Sequence, residues 1–195
     1  DLIGIDLMAD VLKSFIKELP ETDKFHEVAQ EIPLIKKLIE TGYTGRKGKG
    51  GFYRINKDAG TKILEALNLE TGDYSPSKKI DIKSEKVDLK KLISRDDKHG
   101  EYAWSVISKI IKYASSLVTE ITDEFNDIDE AMRLGFNWSK GPFEMLEEIG
   151  VENFFNKIDN YDGNKFLENL AKSKNEDFYG ERQKYTKIET LGKVK

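Results

Sequence analysis

A segment of the sequence occurs twice, and this repeat constrains the fold more than any other feature. Residues 147–152 repeat residues 1–6 at an offset of 146, with Gly150 in the place of Gly4. Two later stretches also match, residues 34–38 with 166–170 and residues 52–53 with 178–179. Repeated sequence indicates repeated structure. We therefore expect the chain to open in the middle of one unit, without its front half, and to continue through a second, nearly whole unit.

Apolar residues at helical spacing predict that both units are mainly α-helical. The strongest pattern covers residues 102–123. Its apolar stripe is wider than one neighbouring helix can cover, so we expect a central helix there. The stripe consists of Val106, Ile107, Ile110, Ile111, Ala114, Leu117, Val118 and Ile121. Shorter patterns predict further helices around residues 7–16, 34–39, 143–149, 154–158 and 166–170.

Capping residues indicate where several helices begin and end. Asp6 is expected to cap the first helix, and Pro33 and Gly42 bracket the second. Asp127 followed by Glu130 resembles a capping box. We therefore interpret Asp127, Asp129 and Glu130 as a helix start rather than as a metal cluster or an acid–base pair, with Gly135 ending that helix.

The middle of the chain differs in composition and apolar pattern from the helical parts. Residues 52–68 contain two short runs around a loop with a glycine, which predicts a small β-hairpin, although the second run is also compatible with a helix. Residues 71–97 are rich in Lys, Ser and Asp, with one expected helical turn near residues 89–92. The predicted organisation is thus residues 1–70 as the first partial unit, 71–100 as a linker and 101–195 as the second unit.

The segment Gly45-Arg46-Lys47-Gly48-Lys49-Gly50-Gly51 is the most suggestive local feature. Three cations among flexible glycine amides offer a phosphate-binding loop, with Arg46, Lys47 and Lys49 as candidate substrate-binding residues. The spacing fits neither a Walker loop nor a dinucleotide fingerprint. The alternative, which we favour, is a turn that reverses the chain between a helix and a strand.

No self-sufficient catalytic constellation is visible. The chain has no cysteine, and neither a Gly-x-Ser-x-Gly elbow nor a His-Glu-x-x-His motif occurs. His26 and His99 lie in polar surroundings and are expected at the surface. We therefore assign no catalytic residue and no metal ligand.

Composition limits the classes of partner. Thirty-two basic and 36 acidic side chains give a net charge of −4, which argues against a nucleic-acid-binding protein. No apolar run approaches the roughly 20 residues of a membrane helix. The lack of cysteine is compatible with a reducing compartment, and we expect a cytoplasmic protein. Because the first residue is Asp rather than Met, we expect the chain to be part of a longer protein.

The family resemblance rests on residues 127–143 of the second unit, which include Gly141 and Pro142 at a predicted corner between two helices. Residues 127–132, then Gly135-Phe136-Asn137-Trp138 and Gly141-Pro142-Phe143, are similar to the signature of the 3-hydroxyacyl-CoA dehydrogenase C-terminal domain. Residues 1–6 and the run from Gly45 through Gly50 to Phe52 and Tyr53 resemble further motifs of that family. In the corner we expect Asp129, Trp138, Gly141, Pro142 and Phe143 to be structural, with an aromatic side chain filling the core.

The resemblance implies a fold and a reaction. The fold is a helical bundle like that of the 6-phosphogluconate dehydrogenase C-terminal domain, here in the tandem form of large bacterial members. In the family, a Rossmann domain binds NAD and supplies a His–Glu pair, and the helical domain closes over acyl-CoA and mediates dimerisation. The reaction oxidises (3S)-3-hydroxyacyl-CoA to 3-oxoacyl-CoA in fatty-acid β-oxidation.

The sequence departs from the family pattern in ways that affect function. No Rossmann fingerprint is present, and the helix that would carry an Asn-Arg pair reads Lys112-Tyr113-Ala114-Ser115-Ser116. We expect this chain to bind no cofactor and to be inactive alone, with a Rossmann domain or a second subunit as partner and a homo-oligomer as the assembly. The alternative is a non-enzymatic binding or scaffold module that retains the fold.

Overall fold

The computed structural model describes residues 1–56, 61–78, 88–158 and 165–173. The chain divides into two compact units, residues 1–84 and residues 85–195. In the described residues there are eight α-helices and one three-stranded antiparallel sheet. The predicted mainly α fold with a small hairpin is confirmed.

The first unit combines two helices with the sheet. Its elements are α1 (Ile5–Glu18), a 3₁₀ turn (Lys24–Glu27), α2 (Pro33–Glu40), β1 (Tyr53–Asn56), β2 (Ile63–Leu67) and β3 (Tyr74–Pro76). The hairpin pairs Tyr53 with Ala66, and Leu67 pairs onward with Tyr74. Strand β3 lies inside the stretch predicted as a linker.

The ends of α1 and α2 follow local backbone chemistry. Helix α1 begins after Gly4, whose φ is 120°, and not at Asp6, which lies in the first turn. Pro33 occupies the first position of α2, as its fixed φ favours. Gly42, with a φ of 82°, follows the end of α2, as predicted, because glycine adopts this left-handed conformation without strain.

The second unit is a helical bundle around one apolar core. Its helices are α3 (Leu89–Ile93), α4 (Lys98–Leu117), α5 (Phe125–Phe136), α6 (Pro142–Ile149), α7 (Val151–Lys157) and α8 (Lys165–Ser173). The short helix α6 is the most enclosed, because Phe143, Leu146 and Ile149 are fully buried and α6 packs against α3, α4, α5 and α7. The core thus centres on α6, with the long α4 beside it.

Helix α4 is shifted from the predicted residues 102–123. It begins after Asp97, whose carboxylate accepts hydrogen bonds from the amides of His99 (3.1 Å) and Gly100 (3.0 Å). It ends at Leu117, just before Thr119, which has a φ of 75°. Ile121, predicted in the apolar stripe, therefore lies beyond the helix and is 64% exposed.

The Asp97 cap predicts a pH dependence of stability. The Arg95 guanidinium, and then the Gly100 amide, lower the pKa of Asp97 from 3.8 to about 2. A carboxyl whose pKa is depressed by folding stabilises the protein above its unfolded pKa, and this contribution disappears as the pH falls from 3.8 to about 2. We expect Asp97→Asn to lower the urea midpoint at ~pH 5 and to have little effect near pH 2. The exposed neighbour Asp96 lies outside this cap and provides the control, since Asp96→Asn should leave the urea midpoint at ~pH 5 unchanged.

Helix α5 differs from prediction at both ends. It begins at Phe125, two residues before the proposed capping residue Asp127, so the expected helix start at Asp127 is corrected. Gly135 lies inside the helix and does not end it. The helix ends at Asn137, which has a left-handed backbone (φ 57°, ψ 34°). The backbone amide of Asn137 donates a hydrogen bond to the carbonyl of Met132.

Candidate functional site

The corner between α5 and α6 is organised by one buried carboxylate. Asp129 is 1% exposed, and its two oxygens accept hydrogen bonds from the amides of Phe143 and Glu144, each at 2.9 Å. These amides belong to the first turn of α6, where backbone N–H groups have no partner within the helix. Asp129 therefore caps α6 across 14 residues of sequence, and not the start of its own helix α5.

Gly141 is the residue that lets Asp129 approach. A Cβ atom at Gly141 would lie 2.3 Å from the Asp129 carboxyl carbon, closer than atoms can pack. Glycine at the N-cap position has no side chain to cap the helix, so Asp129 supplies the acceptor instead. Glu144 completes the arrangement by accepting from the Gly141 amide (2.8 Å) and from Arg133 on α5 (2.6 Å).

The aromatic side chain that fills the core at this corner is Phe143. It is fully buried, with its ring centroid 5.5 Å from that of Phe125 and 5.4 Å from that of Phe166. Trp138 is only half-buried. Pro142 begins α6, as predicted, and directs Phe143 into the core.

The first unit contains a carboxylate clasp of the same kind. Asp1 accepts hydrogen bonds from the amides of Phe52 (2.9 Å) and Tyr53 (2.8 Å) through its two oxygens. A Cβ atom at Gly51 would lie 2.0 Å from one of these oxygens, so this clasp also requires a glycine. Asp1 thereby fixes the glycine-rich loop where it enters β1.

The backbone of the glycine-rich loop is largely occupied by its own hydrogen bonds. The amides of Gly45, Arg46, Gly48 and Lys49 donate to carbonyls of Gly50, Asp1, Gly45 and Gly42, at 2.7–3.0 Å. These amides are directed at protein carbonyls, so the loop does not fit the cradle of backbone N–H groups that a dinucleotide pyrophosphate uses. An anion at this loop would be held by side chains.

The three cations of the loop have different surroundings. Lys47 forms an ion pair with Asp6 at 2.8 Å, and this bond lowers the pKa of Asp6. The Lys49 ammonium donates to the Thr41 carbonyl at 3.0 Å. Arg46 is exposed, and within the described part of the chain its side chain has no ion-pair partner. The sequence thus placed the three cations on one loop, and Arg46 is the one best able to meet an incoming anion.

Next to the loop, the sheet carries a polar cluster that sequence reasoning missed. Glu65, buried on β2, accepts from Arg54 (2.7 Å) and Asn56 (2.9 Å) on β1. Hydrogen bonds from Asn56, then from Arg54, lower the pKa of Glu65. The Arg54 guanidinium also lies 4.1 Å from the Tyr74 ring centroid. The opposite charges of Arg54 and Glu65, which face each other across the hairpin, could have indicated this contact. The sequence did not show that these two residues face each other, because the second run was also compatible with a helix.

The other titratable residues in the described ranges do not assemble into a site. The His26 ring bonds the Pro20 carbonyl at 3.0 Å, and His99 is exposed in the first turn of α4. In the described part of the chain, no three His, Asp or Glu side chains come together as a metal ion would require. Helices within the same residues are all too short or too polar to span a membrane.

Comparison with known proteins shows which family the second unit resembles. Residues 100–188, which include the Asp129 corner, match the model of the 3-hydroxyacyl-CoA dehydrogenase C-terminal domain. Over residues 100–188 the chain is similar to this family. The matching region begins in α4 and contains the glycine–proline corner that first suggested the 3-hydroxyacyl-CoA dehydrogenases.

Three curated relatives extend the similarity to both units. The chain is 36% identical over 184 residues to a Rickettsia felis protein named as a fatty acid oxidation complex trifunctional enzyme, covering 89% of this chain and 25% of that protein. A Rickettsia prowazekii protein with the same name is 39% identical, covering 81% and 22%. A Bacillus subtilis protein named as a 3-hydroxyacyl-CoA dehydrogenase is 30% identical, covering 92% and 23%.

The chain therefore spans about a quarter of the length of these relatives. No solved structure matches the chain significantly.

Proposed function

We propose that the chain is the helical part of an NAD-dependent 3-hydroxyacyl-CoA dehydrogenase. The whole enzyme would oxidise (3S)-3-hydroxyacyl-CoA to 3-oxoacyl-CoA in fatty-acid β-oxidation, in the cytoplasm. The match of residues 100–188 to the C-terminal domain of this family carries the proposal. The names of the Rickettsia and Bacillus relatives support it.

In this proposal the helical units have a structural role in the reaction. The Asp129 corner fixes α5 against α6 and so holds the surface that closes over the acyl-CoA. No residue of the chain is assigned to hydride or proton transfer, and NAD is assigned to another part of the enzyme, because the glycine-rich loop does not fit a dinucleotide. The chain alone is expected to be inactive.

We propose Arg46 as a contact for the phosphates of CoA. The residue is exposed on a loop whose other two cations are engaged with Asp6 and with the Thr41 carbonyl. A guanidinium suits this role because it donates two parallel hydrogen bonds to a phosphate. Lys47 and Lys49 would then contribute positive charge while they hold the loop in place.

The Arg46 proposal predicts a change in substrate binding rather than in turnover. In the whole enzyme, we expect Arg46→Ala to raise the KM for acetoacetyl-CoA by roughly 10-fold, because one charge-assisted hydrogen bond is worth about 1.5 kcal/mol, with kcat unchanged. Steady-state kinetics, following the absorbance of NADH, measure both constants. Lys62→Ala, which removes an exposed cation elsewhere in the first unit, should leave KM unchanged. Equal KM values for the two variants would contradict the role of Arg46.

Assembly into a homo-oligomer is part of the proposal. Tyr102 and Val106, one turn apart on α4, are 73% and 38% exposed. Exposed apolar side chains on one helix face are available for a subunit contact.

Substrate-dependent oxidation of NADH by the whole polypeptide tests the proposed function itself, and an inactive whole polypeptide would favour the scaffold alternative.

A further inference from the structure

An apolar groove runs along the first unit between α1 and α2. Its volume is about 850 Å³, and its walls include Ile3, Met8, Leu12, Ile16, Ile32 and Ile35. Three of these side chains are largely open to solvent, since Ile3 is 63%, Met8 54% and Ile32 57% exposed. A contiguous apolar surface of this kind typically marks a binding surface.

The second unit contains the same backbone arrangement at the start of α7. Gly4 (φ 120°, ψ 127°) and Gly150 (φ 89°, ψ 130°) precede α1 and α7 in similar conformations. The carbonyl of each glycine accepts the first hydrogen bond of the helix, Gly4 from the Met8 amide at 3.1 Å and Gly150 from the Phe154 amide at 3.0 Å. The sequence repeat is therefore also a repeat of backbone structure.

Burial differs sharply between equivalent residues of the two copies. The residues that immediately follow the glycines are buried in both, with Ile5 4% and Val151 5% exposed. In contrast, Ile149 is fully buried while its equivalent, Ile3, is 63% exposed.

The same difference recurs one turn into the helix. Phe154 is fully buried, whereas its equivalent, Met8, is 54% exposed. In the second copy this surface is covered by preceding helices, since the Trp104 ring of α4 lies 5.5 Å from the Phe154 ring and α6 packs against both α4 and α7.

We infer that the groove of the first unit binds a helical segment of the same polypeptide that is built like α4–α6. That segment would have a long amphipathic helix, like α4, to cover Met8 and Ile3. The inference rests on the repeat and on burial, and it does not depend on the proposed reaction.

The length of the relatives favours the same polypeptide over a second copy as the source, because this chain spans only about a quarter of that length. Asp1 and Leu2 line the groove themselves. Their equivalents, Glu147 and Glu148, are the residues of α6 that follow the buried Leu146. Helices α4 and α6 of a second copy already bury the apolar faces of α7 and α8 in their own unit.

A single thiol in the groove tests this inference. The 195-residue chain has no cysteine, so Met8→Cys introduces its single thiol, and in the cellular polypeptide labelling is followed on the peptide that carries residue 8. Leu69→Cys provides a control at a 65% exposed position outside the groove. The rate of maleimide labelling is compared between the 195-residue chain and the polypeptide as the cell produces it. We expect the thiol of the Met8→Cys variant to react at least about 10-fold more slowly in the cellular polypeptide, because labelling then requires local opening. The thiol of the Leu69→Cys variant should react equally in both forms.

Three outcomes would overturn the inference. Equal labelling of the Met8→Cys variant in the two forms would show that no segment of the polypeptide covers the groove. Protection in the 195-residue chain that rises with concentration, together with a doubled mass, would assign the groove to a second copy. Protection of that chain by lauroyl-CoA would assign it to an acyl chain.

A charged substitution gives a second readout. We expect Met8→Glu to shift the melting temperature of the 195-residue chain little, because residue 8 is exposed there. In the cellular polypeptide the same variant should lower the melting temperature by several degrees, since an unpaired carboxylate would be buried. Equal shifts in both forms would contradict the inference. These measurements involve no catalysis, so they can fail or succeed independently of the dehydrogenase assignment.

Discussion

Asp129→Ala is expected to lower the free energy of unfolding of the second unit by about 3 kcal/mol or more, which is the largest single effect we predict. The substitution leaves the Phe143 and Glu144 amides without the acceptors that they have at 2.9 Å. An unsatisfied buried amide costs about 1–3 kcal/mol, and the lost side chain also leaves a void in a closely packed corner. Urea unfolding followed by circular dichroism measures the loss.

Two further variants give this prediction its controls. Asp129→Asn keeps the shape of the side chain but offers a single acceptor oxygen, so we expect an intermediate loss of stability. Asp127→Ala removes a carboxylate two residues away on the same helix, which accepts a hydrogen bond from the Thr122 hydroxyl at 2.8 Å near the surface. This variant should cost less than about 1 kcal/mol. Similar losses for Asp127→Ala and Asp129→Ala would contradict the assigned role of Asp129.

Gly141→Ala should destabilise the same corner by about 2–3 kcal/mol, because the added methyl group overpacks it. The new Cβ atom would lie 2.3 Å from the Asp129 carboxyl carbon and 2.4 Å from its Cα. Either Asp129 retreats and loses its hydrogen bonds, or α6 shifts out of the core. The midpoint of thermal unfolding measures the effect, and about 1 kcal/mol corresponds to roughly 4–8 °C in a domain of this size.

Gly135 provides a matched control on the neighbouring helix. It lies inside α5, is exposed, and a Cβ atom there would meet nothing within 4 Å. Gly135→Ala should therefore stabilise the unit by up to about 1 kcal/mol, because alanine has the higher helix propensity. A stabilising effect of both substitutions would show that Gly141 is not required for the approach of Asp129.

Features set by local chemistry could be predicted from the sequence. Pro33 and Gly42 bracket α2 because proline fixes φ and glycine adopts a positive φ without strain, and both effects are independent of the rest of the fold. The hairpin of β1 and β2 was also predicted, because apolar runs and a glycine-containing loop are adjacent in sequence. The repeat of residues 1–6 could likewise be read from the sequence alone.

Features set by tertiary contacts could not be predicted. Asp129 stands in an acidic cluster near the start of α5, so a local capping role was the natural interpretation. Its true partners lie 14 and 15 residues away in α6. Strand β3 was missed for the same reason, since it has only three residues, ends in a proline, and depends on the hairpin for the pairing of Tyr74 with Leu67.

The candidate site shows the same division. The sequence placed Arg46, Lys47 and Lys49 on one loop, but only the structure shows that Lys47 pairs with Asp6 and that Lys49 bonds a backbone carbonyl. The start of α4 was missed because its first turn is polar and the apolar stripe begins later. The Asp97 cap, an accepted helix-start signal, was present in the sequence and could have been used.

The decisive measurement is the oxidation of NADH, followed by its absorbance, with acetoacetyl-CoA as substrate and the polypeptide as the cell produces it. We expect substrate-dependent oxidation by that polypeptide and none by the 195-residue chain alone. An Asp129→Ala variant of the whole polypeptide should lose activity at the temperature at which its helical part unfolds. A stable, folded whole polypeptide without any acetoacetyl-CoA-dependent oxidation of NADH would contradict the assignment to a dehydrogenase.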